Sequence, residues 1–184
     1  SSECLTCGFS AKYDGNDMKY TQLFGKTLRN VHHGVKSQGF AYLLRGGFVR
    51  SHGHGLYSYL PLGNRVVRNI KQIIREEMEK LCGQEVNVPL VNPIEMWQKS
   101  GRDRLVGDDM IRFSDRTERK MVLAPSHEEA FVDLVRVGLR SYRDLPAFLY
   151  QFQTKFRDEE KIRNGLIRTK EFLMKDAYSF HRSS

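Results

Sequence analysis

The chain has 184 residues, 40 % hydrophobic and 28 % charged, which is ordinary for one globular domain or one piece of a larger one. Thirty Lys+Arg against 22 Asp+Glu give a formal charge of +8, which suits a phosphate-rich partner without proving one. Three cysteines make no disulfide framework, no apolar run approaches the roughly 18 residues of a spanning helix, and the polar N-terminus lacks the apolar stretch of a signal peptide. The expectation is a soluble chain from a reducing compartment with no membrane partner.

Residues 1–17, "SSECLTCGFSAKYDGND", lack apolar periodicity and close on a loop-like Gly-Asn-Asp cluster; Met18 is a natural start. Cys4 and Cys7 have metal-site spacing, but a zinc site needs about four ligands and no second pair follows, so no structural metal is expected. "SHGHGLYSYLPLG" (51–63) reads as a glycine-punctuated loop in which His52 and His54 are polar loop residues. From Asn64 to Leu81 apolar residues recur at helical spacing through Val66, Val67, Ile70, Ile74 and Met78, with Gly83 placed as the C′ stop. "QEVNVPLV" alternates through Val86 and Val88 into Pro89, which marks an edge strand or a strand end.

Residues 111–124 predict a hairpin that turns at "SDRTERK". "APSHEEAFVDLVRVGL" then opens a helix through Pro125, with Ser126 as N-cap and Glu129 completing a capping box. That arrangement leaves Glu128 without a role. From Phe148 to Arg157 the period is two. Phe148, Tyr150, Phe152 and Phe156 face a core, while Gln151, Gln153, Lys155 and Arg157 line the other face with donors. Arg168, Lys170 and Phe172 share one face of the returning strand, with "DEEKIRNG" as the loop between. Such a surface suits a nucleotide, because guanidinium forks hold phosphate oxygens and a flat ring stacks a base. The competing reading is cross-strand ion pairing of these arginines with Glu159 and Glu171, worth a few tenths of a kcal/mol per pair.

"FRDE" (156–159), "GLIRTKEF" (165–172) and "MKDAYSFH" (174–181) closely resemble the motif 2 hairpin of prolyl-tRNA synthetases, which are class II aminoacyl-tRNA synthetases. "LLRGGFVR" (43–50), "GLYSYLPLGNRV" (55–66), "IIREEM" (73–78), "PSHEEA" (125–130) and "SYRDLP" (141–146) are similar to the bacterial and organellar type, in the family's order. The resemblance runs from about Met18 to the C-terminus. It implies an α+β fold, part of a class II synthetase-like antiparallel sheet flanked by helices. Motif 1 would be the helix 64–81 with the strand ending at Pro89, and would form a homodimer interface.

Carried across by position, Arg157 would bridge the ATP α-phosphate and the prolyl carboxylate, and Glu159 would contact ATP. Arg168 would reach the outer phosphates and Phe172 would stack on adenine. Ser126 and Glu128 stand where the family's proline loop has threonine and glutamate, the glutamate meeting the prolyl ammonium. Lys161 and Arg163 would contact the tRNA acceptor end. The implied partners are proline, tRNA(Pro) and ATP as substrate with Mg2+, and the implied setting is the cytoplasm or an organelle such as the mitochondrion.

The sequence departs from the family at Ser126, at Lys170 in place of arginine, at Thr169 in place of glycine, and at Ile162 and Asn164 in the loop. The resemblance also implies a longer parent carrying a motif 3 and an anticodon-binding domain. Residues 18–184 are therefore expected to be the N-terminal portion of a class II catalytic domain, with residues 1–17 a leader or a rearranged segment. The alternative reading is a non-catalytic paralogue or regulatory fragment that binds tRNA or a synthetase partner. Retention of Glu128, Arg157, Glu159, Arg168 and Phe172 together favours the enzyme, and the signatures of common RNA-binding modules are absent.

Overall fold

The computed structural model describes residues 19–31, 34–163 and 165–183. Cys4 and Cys7, the segment 1–17 and Asn164 lie outside the described residues. Helix α1 (Gln38–Arg45) starts at Ser37, whose Oγ accepts from the Phe40 N–H at 3.4 Å. It stops at the Gly46-Gly47 pair and leads into the antiparallel strands β1 (Val49–Gly53) and β2 (Leu56–Tyr59). The segment read as a loop is thus mostly a hairpin. Gly53 and Gly55 take the positive φ values of its turn, 128° and 75°, and His52 bonds Ser58 across it at 2.7 Å.

Helix α2 (Pro61–Lys80) begins three residues earlier than the periodicity predicts, because Pro61 at its first position has the φ a helix needs and no N–H to satisfy. Its end also differs from expectation. Cys82 takes the left-handed C′ position (φ 57°), donating to Glu79 O, while the Gly83 N–H reaches back to Met78 O, both at 2.9 Å. The apolar stripe divides: Met78 is buried and Val67 and Ile74 are half-buried, while Val66, Ile70, Ile73 and Leu81 are exposed.

The sheet at the centre of the site consists of β3 (Gln84–Glu85), β7 (Ala147–Phe156) and β8 (Glu171–Phe180), in the order β3-β7-β8. Strands β7 and β8 pair antiparallel over ten residues each, from Ala147↔Phe180 to Phe156↔Glu171. The expected antiparallel sheet carries one parallel edge, because β3 runs alongside Leu149 and Tyr150 in the same direction. The alternation through Val86 and Val88 does not continue as strand. Val86 N–H still donates to Tyr150 O at 2.8 Å, but the Val88 N–H is captured by the Gln151 side chain at 3.2 Å.

The second sheet contains β4 (Val91–Pro93), β6 (Lys120–Leu123) and β5 (Arg112–Ser114), antiparallel in the order β4-β6-β5, and the hairpin expected at 111–124 is present. Its core is Trp97 of α3 (Ile94–Ser100), fully buried with Met110, Val122 and Ala124. Trp97 Nε1–H donates to Asn92 Oδ1 at 3.4 Å, so the ring is buried with its polar atom partnered. Gly101 then turns the chain into the short α4 (Arg102–Leu105). Helix α5 (Glu128–Gly138) joins the two sheets, and its Phe131 packs on Tyr178 of β8 with ring centroids 4.3 Å apart.

The two faces of β7 do not divide into core and water. Tyr150 is buried, and Phe152 lies beneath Lys71 and Arg75 of α2, but Gln151 and Lys155 on the opposite face are fully buried too. Periodicity had marked that face as an open row of donors. It is closed by β8 and by the loop before α5.

Candidate active site

The chain from Ala124 to Glu128 runs past the end of β7. Phe156 N–H donates to Ala124 O at 3.3 Å, and Arg157 Nε donates to Pro125 O at 3.2 Å. The Arg157 guanidinium carbon lies 5.3 Å from the centre of the Phe172 ring, within cation–π range. Three of the predicted elements, Arg157, Phe172 and the loop bearing Ser126 and Glu128, are therefore brought together.

Ser126 does not cap the helix. The N-cap is His127, whose side chain makes no capping bond, and helix α5 starts at Glu128. The Ser126 hydroxyl instead accepts from Arg102 Nη2 at 2.9 Å. The same guanidinium donates from Nη1 to Glu128 Oε2 at 2.8 Å and to both Glu129 oxygens at 3.1 and 3.0 Å. Glu129, which the capping-box reading assigned to the helix terminus, is buried and also accepts from Ser100 Oγ at 2.9 Å. A tertiary cation has outcompeted the local cap.

Arg102 is a site residue that sequence reasoning missed. The available signal was Glu129 itself, a carboxylate next to the core residues Ala130 and Phe131, where burial demands a cation from elsewhere. Burial works to raise the Glu128 pKa, but hydrogen bonds from Ser126 and Arg102 outweigh it, so the carboxyl lies below its ordinary range. Glu128 and Glu129 share the one Arg102 guanidinium, so this corner presents two carboxyl groups to a single cation. That is an attractive place for an ammonium group.

The loop after β7 is organised differently. Arg168 Nε donates to Glu159 Oε2 at 2.6 Å, with Glu159 buried and Arg168 half exposed. The pair raises the Arg168 pKa. Lys170 pairs with Asp158. Arg168 and Lys170 both precede β8 and are turned to these carboxylates, so the expected single face does not form; Phe172 alone of the three lies in the strand. In this structure Arg168 meets the ion-pair reading, with Glu159 as partner. Lys161 and Arg163 are exposed on the loop, beside His54 from the β1–β2 turn.

Beneath the 125–128 loop lies a second group that sequence reasoning missed. Lys155 Nζ contacts His127 Nδ1 and donates to Asp176 Oδ2 at 2.9 Å. Asp176 Oδ2 also accepts from Tyr178 OH at 2.9 Å and Gln151 Nε2 at 3.2 Å. Burial and then the Lys155 charge lower the His127 pKa to about 4, so the imidazole is neutral at physiological pH. Burial likewise lowers Lys155, against the pull of Asp176. Among the described residues no group of three or more His, Cys, Asp or Glu side chains is arranged to hold a metal. No helix among them is long and apolar enough to cross a membrane.

A long antiparallel β7–β8 hairpin, a parallel edge strand fed by a long helix, and an arginine at the end of β7 frame the site, and the chain is similar to class II aminoacyl-tRNA synthetases. The family profile described as tRNA synthetase class II core domain (G, H, P, S and T) matches residues 111–184. The chain is a homologue of proline–tRNA ligases: it is 48 % identical to that of Thermotoga neapolitana over 166 residues, 90 % of this chain and 29 % of the relative. It is also 48 % identical to that of Moorella thermoacetica over 163 residues, 89 % of this chain and 28 % of the relative. Among solved structures, the prolyl-tRNA synthetase of Cryptosporidium parvum complexed with halofuginone and AMPPNP shares the fold. Its TM-score is 0.70 at 17 % identity, over 83 % of this chain and 32 % of that one. The chain thus spans less than a third of the length of the curated relatives it matches, and the prolyl-tRNA synthetase resemblance seen in the motifs holds.

Proposed function

We propose that residues 18–184 supply the motif 1 and motif 2 part of a prolyl-tRNA synthetase active site, which activates proline with ATP and passes the prolyl group to tRNA(Pro). The observation that carries this reading is the convergence of Arg157, Phe172 and the Ser126–Glu128 loop on one site, with a corner where Glu128 and Glu129 share a single guanidinium. The prolyl ammonium would enter that corner. One carboxylate oxygen of proline would attack the α-phosphorus of ATP, the bond to the β-phosphate oxygen would break, and pyrophosphate would leave. No residue of the chain needs to form a covalent bond. Arg157 would neutralise charge on phosphorus, and positioning would supply the rest.

Binding of ATP, which enters with Mg2+, exchanges contacts already present. Adenine would take the Phe172 face now covered by Arg157. A cation–π contact of roughly 0.5–1 kcal/mol at a partly exposed site is replaced by base stacking of roughly 1–3 kcal/mol. The freed guanidinium then turns to the phosphate. Arg168 is half exposed and so is free to turn to the outer phosphates, at a cost set by leaving the buried Glu159 carboxylate without its partner. Lys161 and Arg163 would meet the tRNA acceptor end.

The exposed half of the α2 stripe, Val66, Ile70, Ile73 and Leu81, with β3 beside it, supports an isologous homodimer through motif 1. The cytoplasm, or an organelle with its own translation, is the proposed setting. The test of the catalytic reading is calorimetry of the chain with a non-hydrolysable prolyl-adenylate analogue. The expected result is measurable binding that weakens about a hundredfold in Arg157→Ala, from loss of a charge-assisted contact worth roughly 3 kcal/mol. Unchanged binding in Arg157→Ala and Glu128→Gln would overturn it.

A further inference from the structure

Lys155 is fully buried, yet nothing in the proposed chemistry uses it. Its surroundings state what it holds. His127 Nε2 lies 3.2 Å from Pro89 O. A carbonyl only accepts, so Nε2 carries the ring proton and the Nδ1 lone pair is left to accept from Lys155 Nζ. His127 is thereby clamped at both ring nitrogens, by the chain leaving β3 on one side and by β7 on the other. Its neighbours in sequence are Ser126 and Glu128. Residues 125–127 are in neither helix nor strand.

The remaining contacts tie the clamp to the sheet. Lys155 is anchored by Asp176, Asp176 by Tyr178 and Gln151, and Gln151 Oε1 accepts from Val88 N–H. Asp176 Oδ1 is buried without a partner among the described residues. A buried ion pair with an unsatisfied oxygen is a poor device for stability, since apolar residues of similar volume are often neutral or better. What such a network does provide is a single geometry. Glu128 and Arg157, the two charges proposed to hold the amino acid, both act electrostatically on Lys155.

We propose that Lys155, with Asp176 and His127, is a positioning unit that sets the 125–128 loop, and with it the Glu128 carboxylate that is to receive the substrate amine. The inference rests on the reading of Glu128 as part of the amino-acid subsite. The clamp itself is read without any ligand.

The experiment compares the chain with three variants: Lys155→Met combined with Asp176→Asn, which removes both charges and strands neither; His127→Leu; and His127→Asn, whose Oδ1 replaces Nδ1 as acceptor. Nitrogen-15 NMR should find His127 as the Nε2–H tautomer. The amides of Ser126 and Glu128 should shift in the double variant and in His127→Leu, and return towards their original positions in His127→Asn. Affinity for the prolyl-adenylate analogue should fall about tenfold to a hundredfold in the first two variants, the scale of a small misplacement of a binding group, while affinity for ATP alone changes less than about twofold.

An Nδ1–H tautomer, or unmoved Ser126 and Glu128 amides in the double variant, would overturn the clamp. If the parent chain fails to bind the analogue, the reading of the subsite falls, and the amide shifts and tautomer alone decide the clamp. A variant that melts early is judged by His127→Asn, which keeps the Lys155 contact and should restore both the loop shifts and the melt.

Discussion

Replacing Arg102 with methionine removes a guanidinium that joins three side chains while retaining much of the packing against Trp97. Glu129, only 4 % exposed at its side chain, would keep Ser100 as its one partner among the contacts now seen. Stranding a buried carboxylate costs about 3–5 kcal/mol, but Arg102 is 31 % exposed, so screening reduces the figure to about 2 kcal/mol. The half-exposed Glu128 pair adds a few tenths of a kcal/mol, and the lost cation–π contact with Trp97 roughly 0.5–1 kcal/mol. The expected total is near 3 kcal/mol, which for a chain of this size is a fall of roughly 6–12 °C in melting temperature. Trp97 is the single tryptophan and is fully buried, so its fluorescence during urea unfolding reports the event directly. Adding Glu129→Gln should recover about 2 kcal/mol, because the stranded charge is then gone. A loss under about 0.5 kcal/mol in Arg102→Met, or a further loss on adding Glu129→Gln, would refute the reasoning.

A methyl group at Gly63 would lie 2.2 Å from the Phe48 carbonyl oxygen, so Gly63→Ala should cost roughly 1–3 kcal/mol in urea unfolding. Gly39→Ala in α1 meets nothing within 4 Å and should gain up to about 1 kcal/mol. For His127, the folded pKa of about 4 lies below the ordinary 6.5, so the unfolded chain binds the extra proton; stability is full above pH 6.5 and declines towards pH 4, by about 3 kcal/mol in all. His127→Gln should flatten that window in pH-dependent melting, while the loss associated with Asp115, whose pKa is held near 2 by Thr117 and Arg119 against 3.8 unfolded, lies at lower pH and should remain. Sedimentation should show dimers at tens of micromolar and monomers for Ile70→Asp with Ile73→Asp; a parent chain that is monomeric there would count against the α2 interface.

Where one period dominates, the fold was legible. Helix α2 carries apolar residues at helical spacing from Val66 to Met78, and β7 alternates over most of its length, so both were readable within a few residues of their ends. Between Ser51 and Gly63 the alternation is broken by small and imidazole side chains, and a strand of four or five residues is too short to stand out against them. The parallel pairing of β3 was not accessible either, because two residues carry no sign of direction. The α5 cap failed for another reason. Ser126 and Glu129 do have capping-box spacing, but a guanidinium 24 residues upstream offers the serine, and Glu129 with it, a charged partner where the box offers only backbone amides.

The polar face of β7 shows the deeper limit. A period of two separates the faces of a strand but does not say which one water reaches, and lysine and glutamine read as wet wherever they occur. Here Asp176, carried on β8 directly opposite Gln151, supplies the charge that lets Lys155 be buried, so the cause of burial lies 21 residues away in a strand that also reads as alternating. The charge density of 155–172 has a parallel explanation. Most of its cations are already engaged: Lys155 with Asp176, Arg168 with Glu159, Lys170 with Asp158, and Arg157 on the Phe172 ring. Only the first of these is sealed from water. The cations of the others are partly open to water, so on the proposed reading one loop can hold ion pairs in the free chain and exchange them for a phosphate or a base. The distinction between the ion-pair and nucleotide readings of these arginines therefore lies in the exposure of each pair, a property of the folded surface that spacing along the chain does not carry.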